Sequence, residues 1–178
     1  HERLVGSEMC IRDSSYSGFF KESMMDEIAA LQNQDSVEFR LKHLKNNPKL
    51  ANVLKVVAKK SAWNKSLPKG HYQGVAVHES FSSFVAQIAE VSVVNNKLFV
   101  HKVVCAIDCG LAVNPEIVKA QMESGIVDGL SAALYGKITL QDGVVQQSNY
   151  HNYPLLRIHE SPEIDVVIID SDEAPTGV

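Results

Sequence analysis

Apolar positions recur in two regimes along the chain, helical at first and then alternating. Met24, Met25, Ile28 and Leu31 fall at three- and four-residue intervals and predict a helix over 21–31. Val37, Phe39, Leu41 and Leu44 continue a helical pattern, with Asp35 or Ser36 placed to cap it. Asn46-Asn47-Pro48 breaks that run. A third helix is predicted over 49–63, with Leu50, Val53, Leu54, Val57 and Ala58 on one stripe and Lys55, Lys59 and Lys60 on a solvated side. Pro68 and Gly70 mark a linker over 66–70.

From His71 the period becomes two. Val75 and Val77 alternate with Gly74, Ala76 and His78, and a long strand is predicted over 84–94. Asn95-Asn96 turns the chain into a second strand over 98–107, which Asp108-Cys109-Gly110 ends. Asn114-Pro115 then opens a helix, Asn as cap and Pro at a position whose N–H would go unused. That helix carries Ile117, Val118, Met122, Ile126, Leu130 and Leu134. Gly125 and Gly129 sit inside it, each costing roughly 1 kcal/mol against Ala, and close packing of another element is the simplest reason for them. Gln141-Asp142-Gly143 predicts a hairpin turn between strands over 136–140 and 144–147, and 163–170 reads as a final strand. Helices first, then antiparallel strands with one long helix, define an α+β fold.

Length and composition narrow the function without naming it. The 178 residues suit about one domain. A net charge of −4 argues against a general electrostatic grip on nucleic acid. No apolar run is long enough for a transmembrane segment. Three cysteines, Cys10, Cys105 and Cys109, are too few for a disulfide scaffold. Residues 4–14, LVGSEMCIRDS, resemble the conceptual translation of a transposase sequencing adapter. Residues 1–14 are therefore read as a non-native segment and kept out of fold reasoning, Met9 and Cys10 with them.

Local chemistry is sparse. Cys105 and Cys109, four apart, are expected to share a face. They lack a CxxC or a second ligand pair, so buried structural thiols are expected rather than a metal site. The histidines form no HExxH set. His78, Glu79 and Ser80 stand together, but no G-x-S-x-G nucleophile elbow accompanies them. No G-x-G-x-x-G or Walker loop is present. Asp108, at a strand end beside Gly110, suits either a catalytic carboxylate or a loop cap.

Longer stretches carry a resemblance. GHYQGVAVHESFSSFVAQIAEVSV (70–93), VVCAIDCGLAVNPEIVKAQMESGIVDGLSAALYGKITL (103–140) and SNYHNYPLLRIHESPEIDVVII (148–169) resemble the large subunit of the molybdenum hydroxylases, the xanthine dehydrogenase and aldehyde oxidase superfamily. The isoquinoline 1-oxidoreductase beta-subunit type is the nearest in pattern, and FFKESMMDEIAA (19–30) and DSVEFRLKHL (35–44) extend the match. The likeness covers 15–178 and implies a fragment of a larger molybdopterin-binding domain. It implies a parent enzyme that hydroxylates aldehydes or N-heterocycles with water as the oxygen source. The implied cofactor is molybdenum held by a pterin, in the dinucleotide form of bacterial members. A separate small subunit is expected to carry iron–sulfur clusters that receive the electrons.

The same resemblance assigns residues. Gln121, in AQMESG, matches a pterin-contacting glutamine, and an amide can both donate and accept toward a pterin edge. Gly177 and Val178 match the loop that lines the metal. The family's general-base glutamate lies in a G-V-G-E motif and is expected just beyond Val178, so neither Glu160 nor Glu173 takes its place. No catalytic residue is assigned within the chain, and the chain alone is expected to be inactive. Family positions upstream of Ser15, a Gly-Gln-Gly pterin contact and an arginine near the metal, are expected to be missing from this chain. Ser124 and Asp128 depart from the family pattern, which has Gly and an apolar residue there. The competing reading is a non-catalytic interaction domain that keeps the fold without the cofactor.

Overall fold

A computed structural model describes residues 13–178 of the chain. The adapter-like segment therefore lies, up to residue 12, outside the described residues, and Met9 and Cys10 lie there too. Three helices come first: α1 (Asp13–Leu31), α2 (Ser36–His43) and α3 (Pro48–Lys60). Strands β1 (His71–Ser80), β2 (Ser83–Val94) and β3 (Lys97–Asp108) follow, then helix α4 (Pro115–Tyr135). A small hairpin of β4 (Leu140–Gln141) and β5 (Val144–Val145), a 3₁₀ turn (Ile158–Glu160) and strand β6 (Glu163–Ile168) complete the order. The α+β reading holds, but the strands around Asp142 are shorter than the pattern implies.

The main sheet has the order β1-β2-β3-β6. β1, β2 and β3 form an antiparallel meander, of which the β2–β3 hairpin at Asn95-Asn96 is the part expected from the sequence. β6 pairs parallel with β3, from Lys102 opposite Glu163 to Ile107 opposite Ile168. A parallel neighbour needs a long crossover, and α4 supplies it.

Helices cover both faces of this sheet. On one, α3 buries Leu50, Val53, Leu54 and Val57 against Val75, Val77, Ala86, Ile88, Val104 and Ala106. On the other, α4 lays Val118, Met122, Ile126 and Leu130 over Val103, Cys105, Ile107 and Val166. β3 is buried on both faces from Val103 to Asp108, so its sequence shows a continuous apolar run instead of alternation.

Helix α1 departs from its apolar rhythm. Met24 and Leu31 are exposed, and the side facing the molecule carries Glu22, Met25, Asp26 and Ala29. There Arg40 of α2, 1% exposed, pairs with Glu22 at 2.8 Å and Asp26 at 2.6 Å. An ion pair takes the place of an apolar stripe, and burial of this kind needs the near-complete hydrogen bonding that Arg40 has.

Caps fix the helix starts. Asp35 Oδ1 accepts from the Val37 and Glu38 N–H groups, while Oδ2 accepts from Trp63 Nε1 and Asn64 Nδ2. Asn47 caps α3 with Pro48 at its first turn, so 46–48 starts a helix as well as ending one.

Candidate functional site

The candidate site lies where β3 ends. Asp108 Oδ1 accepts the Gly110 N–H at 3.1 Å, the loop-capping geometry. Gly110 has φ +68, and a side chain there would collide with the carbonyl oxygen of Ala174. The DCG stretch is thus a tight turn against which a distant segment is laid.

That segment is 173–178. Leu111 N–H donates to Glu173 O at 2.9 Å, and Thr176 N–H donates to Cys109 O at 2.9 Å. On its other side it meets the β1–β2 turn. Gly177 N–H donates to Phe81 O at 3.2 Å, and a Cβ on Gly177 would lie 2.7 Å from Phe81 Cβ. The buried Ser83 hydroxyl lies 2.6 Å from Thr176 Oγ1 and donates to Gly177 O at 2.6 Å. Lys49 pairs with Glu173 and sits over the Phe84 ring. The Glu173 carboxylate raises the Lys49 ammonium above its ordinary value.

Phe81 and Ser82 are both left-handed, at φ +50 and +63. Neither is the Gly, Asn or Asp that such a turn favours, so the pair stores strain of about 1–3 kcal/mol per residue. The other two hairpin turns, Asn95-Asn96 and Asp142-Gly143, carry the residues expected of them.

Gln121 stands on the second turn of α4, exposed and off the buried stripe. Its amide makes no hydrogen bond among the described residues. Gly125 and Gly129 are exposed on the same helix, and a Cβ at either would meet nothing within 4 Å. Close packing of another element, expected from those glycines, is therefore not found among the described residues. Gly177 and Val178 are also exposed; of the two residues that anchor Gly177, Ser83 is buried and Phe81 is exposed. No hydrogen bond joins Gln121 to Gly177 or Val178. What they share is the region after β3, since the 109–114 loop that leads into α4 is the loop paired with 173–176.

The remaining candidates resolve into structural roles. Cys105 and Cys109 are buried free thiols on the α4 side of the sheet, and burial pushes Cys105 up to about 12. Burial, with the Asp108 charge, raises Cys109 too. Glu160 accepts from Tyr135 Oη at 2.6 Å and from the Arg157 N–H at 2.9 Å, which holds its carboxyl below the usual range. His78 packs against Gly18 of α1. Among the described residues no cluster of three or more His, Cys, Asp or Glu side chains is set to hold a metal ion. No helix among them is long and apolar enough to cross a membrane.

Grooves lie elsewhere among the described residues. One of about 800 Å³ lies between α1 and the β1–β2 half of the sheet, lined by Phe19, Glu22, Ala76, His78, Val85 and Gln87 among others. A second, of about 500 Å³, runs between α4 and 161–164, with Ser124 and Asp128 on its wall. Gln121, Gly177 and Val178 line neither. Sequence reasoning missed Phe81, Ser83 and Thr176, the residues that hold the 173–178 segment. A serine at a strand start carries no motif, and its partners are some ninety residues away.

A family model for the molybdopterin cofactor-binding domain matches residues 21–162, and the chain belongs to that family. The chain is 41% identical to the beta subunit of isoquinoline 1-oxidoreductase from Brevundimonas diminuta over 165 residues, covering 90% of this chain and 21% of that protein. It is 28% identical to a nicotinate dehydrogenase subunit of Pseudomonas putida, over 89% of this chain and 15% of that one. The quinoline 2-oxidoreductase of Pseudomonas putida 86 is similar over 50% of this chain and 12% of its own, with 21% identity and a TM-score of 0.47. The chain thus spans about a fifth or less of the length of these relatives.

Proposed function

We propose that this chain supplies part of the cofactor-binding wall of a molybdenum hydroxylase that acts on aldehydes or N-heterocycles with water as the oxygen source. The observation that carries the reading is the pairing of family membership with an exposed Gln121 amide that has no hydrogen-bond partner among the described residues. When bound, the molybdenum–pterin group, in the dinucleotide form, supplies the two-electron redox chemistry. Gln121 would hold the pterin edge through its amide, and the exposed Gly177 and Val178 would face the metal. The Gly177 N–H and carbonyl are already bonded to Phe81 and Ser83, so the path of the segment is set before any ligand binds. No side chain of 16–178 is assigned the proton-abstracting role. Glu160 and Glu173 are each held by other partners, and the base is expected after Val178. The chain alone is therefore inactive in this reading, and a small iron–sulfur subunit receives the electrons. In this reading the remaining contacts to the pterin come from parts of the parent protein outside this chain.

The test is the complete parent protein purified with its small subunit. Molybdenum and pterin near one per large subunit, with turnover of an aldehyde or a quinoline-type substrate and an artificial acceptor, are expected. A parent that lacks molybdenum and pterin when produced alongside a loaded relative would favour the non-catalytic domain instead.

A further inference from the structure

We propose that Ser83 is a positioning residue for the cofactor loop, its hydroxyl holding Thr176, Gly177 and the exposed Val178 in one fixed path. The proposal rests on the reading that Gly177 and Val178 meet the molybdenum–pterin group. A serine hydroxyl has one proton and two lone pairs. At Ser83 the proton goes to Gly177 O and a lone pair takes the Thr176 hydroxyl, both at 2.6 Å, and the side chain is 3% exposed. Both hydrogen bonds of the hydroxyl therefore go to one distant segment.

The surrounding geometry points the same way. The loop has backbone anchors at Cys109 O and Phe81 O, but Ser83 is the side chain that grips it from inside the fold. Phe81 and Ser82 keep left-handed conformations that suit neither residue, and Gly177 approaches Phe81 too closely for any side chain of its own. Strain and close approach at one turn, with a buried hydroxyl beside it, mark a loop whose path is determined from several sides. Along the segment only Thr176 is half-buried; Glu173, Ala174 and Pro175 are exposed, and so are Gly177 and Val178. Ser83 acts through them and touches no ligand itself.

The experiment uses the complete parent protein with Ser83→Ala and Thr176→Val. Thr176 is half-buried and Thr176→Val keeps its shape, so that variant folds even if Ser83→Ala is damaging. Amide hydrogen exchange at Gly177 and pterin and molybdenum content after prolonged dialysis are read together, with KM and kcat measured on the loaded fraction. Ser83→Ala is expected to speed Gly177 exchange at least tenfold and to lower retained pterin three- to tenfold, with Thr176→Val intermediate. Turnover of the loaded fraction should fall mainly in kcat. Retained pterin and Gly177 exchange at wild-type levels in both variants overturn the assignment, as does a lower melting temperature with unchanged pterin. Absence of pterin from the wild-type parent overturns the cofactor reading itself, and the Ser83 assignment with it.

Discussion

One oxygen of Glu22 serves two elements at once: Oε2 accepts from Arg40 Nε at 2.8 Å and from the Val77 N–H at 2.9 Å. Val77 lies on β1, an edge strand, so this carboxylate caps a ladder position that has no neighbouring strand. Through it α1 is bound to α2 and to the sheet.

Removing the cation leaves that carboxylate half-buried beside Asp26. Breaking a buried pair from one side costs about 3–5 kcal/mol. Asp26 is 44% exposed and can rehydrate, which places Arg40→Met near the lower end. A loss of about 3 kcal/mol in urea unfolding is expected. A loss below about 1 kcal/mol would show that the pair behaves as a surface bridge.

Asp35 gives the fold an acid-sensitive joint. Burial alone would raise its carboxyl, but hydrogen bonds from Glu38, Trp63, Asn64 and Val37 hold it below the ordinary 3.8. The folded state therefore binds this proton less readily than the unfolded chain. The stabilisation is complete above the ordinary value and is lost as pH falls through the lower folded one. The stability advantage of the native protein over Asp35→Asn should shrink between about pH 6 and about pH 2. An advantage constant across that range would mean the carboxylate charge contributes nothing.

Two turns should respond in opposite directions to changes at glycine. Gly110→Ala must relieve both a left-handed φ and a collision with Ala174 O, and a cost of about 2–4 kcal/mol is expected. Ser82→Gly relaxes a left-handed residue already in place, and a gain of up to about 1 kcal/mol is expected. Thermal unfolding of both variants checks the pair. A neutral Gly110→Ala would mean that the 173–178 segment is not held against the DCG turn.

Parts of this fold were legible because local chemistry repeats there. Asn114-Pro115, Asn95-Asn96 and Asp142-Gly143 announce a helix start and two turns from the residues alone. The α3 stripe reads directly because one apolar face meets one sheet face. The side of α1 that faces the molecule was hidden, since its contacts run through Glu22, Asp26 and a buried arginine. The Phe81–Ser82 turn was hidden for another reason. Its residues resist the conformation, which long-range contacts with Gly177 and Ser83 support. The parallel entry of β6 followed from the path of α4, which no strand periodicity encodes. Of the site, Gln121, Gly177 and Val178 came from family likeness, and the residues that anchor the loop came only from the fold.

Gln121→Ala in the complete parent protein is the most direct measurement of whether this chain meets a pterin. The exposed amide makes no hydrogen bond among the described residues, so its removal should leave the melting temperature unchanged. One lost hydrogen bond is worth roughly 0.5–1.5 kcal/mol, and more where the ligand atom is left unsatisfied. Pterin and molybdenum occupancy, or the rate, should therefore fall by about three- to thirtyfold with the fold intact. Wild-type occupancy together with wild-type turnover in Gln121→Ala would contradict the account and leave Gln121 a solvated surface residue.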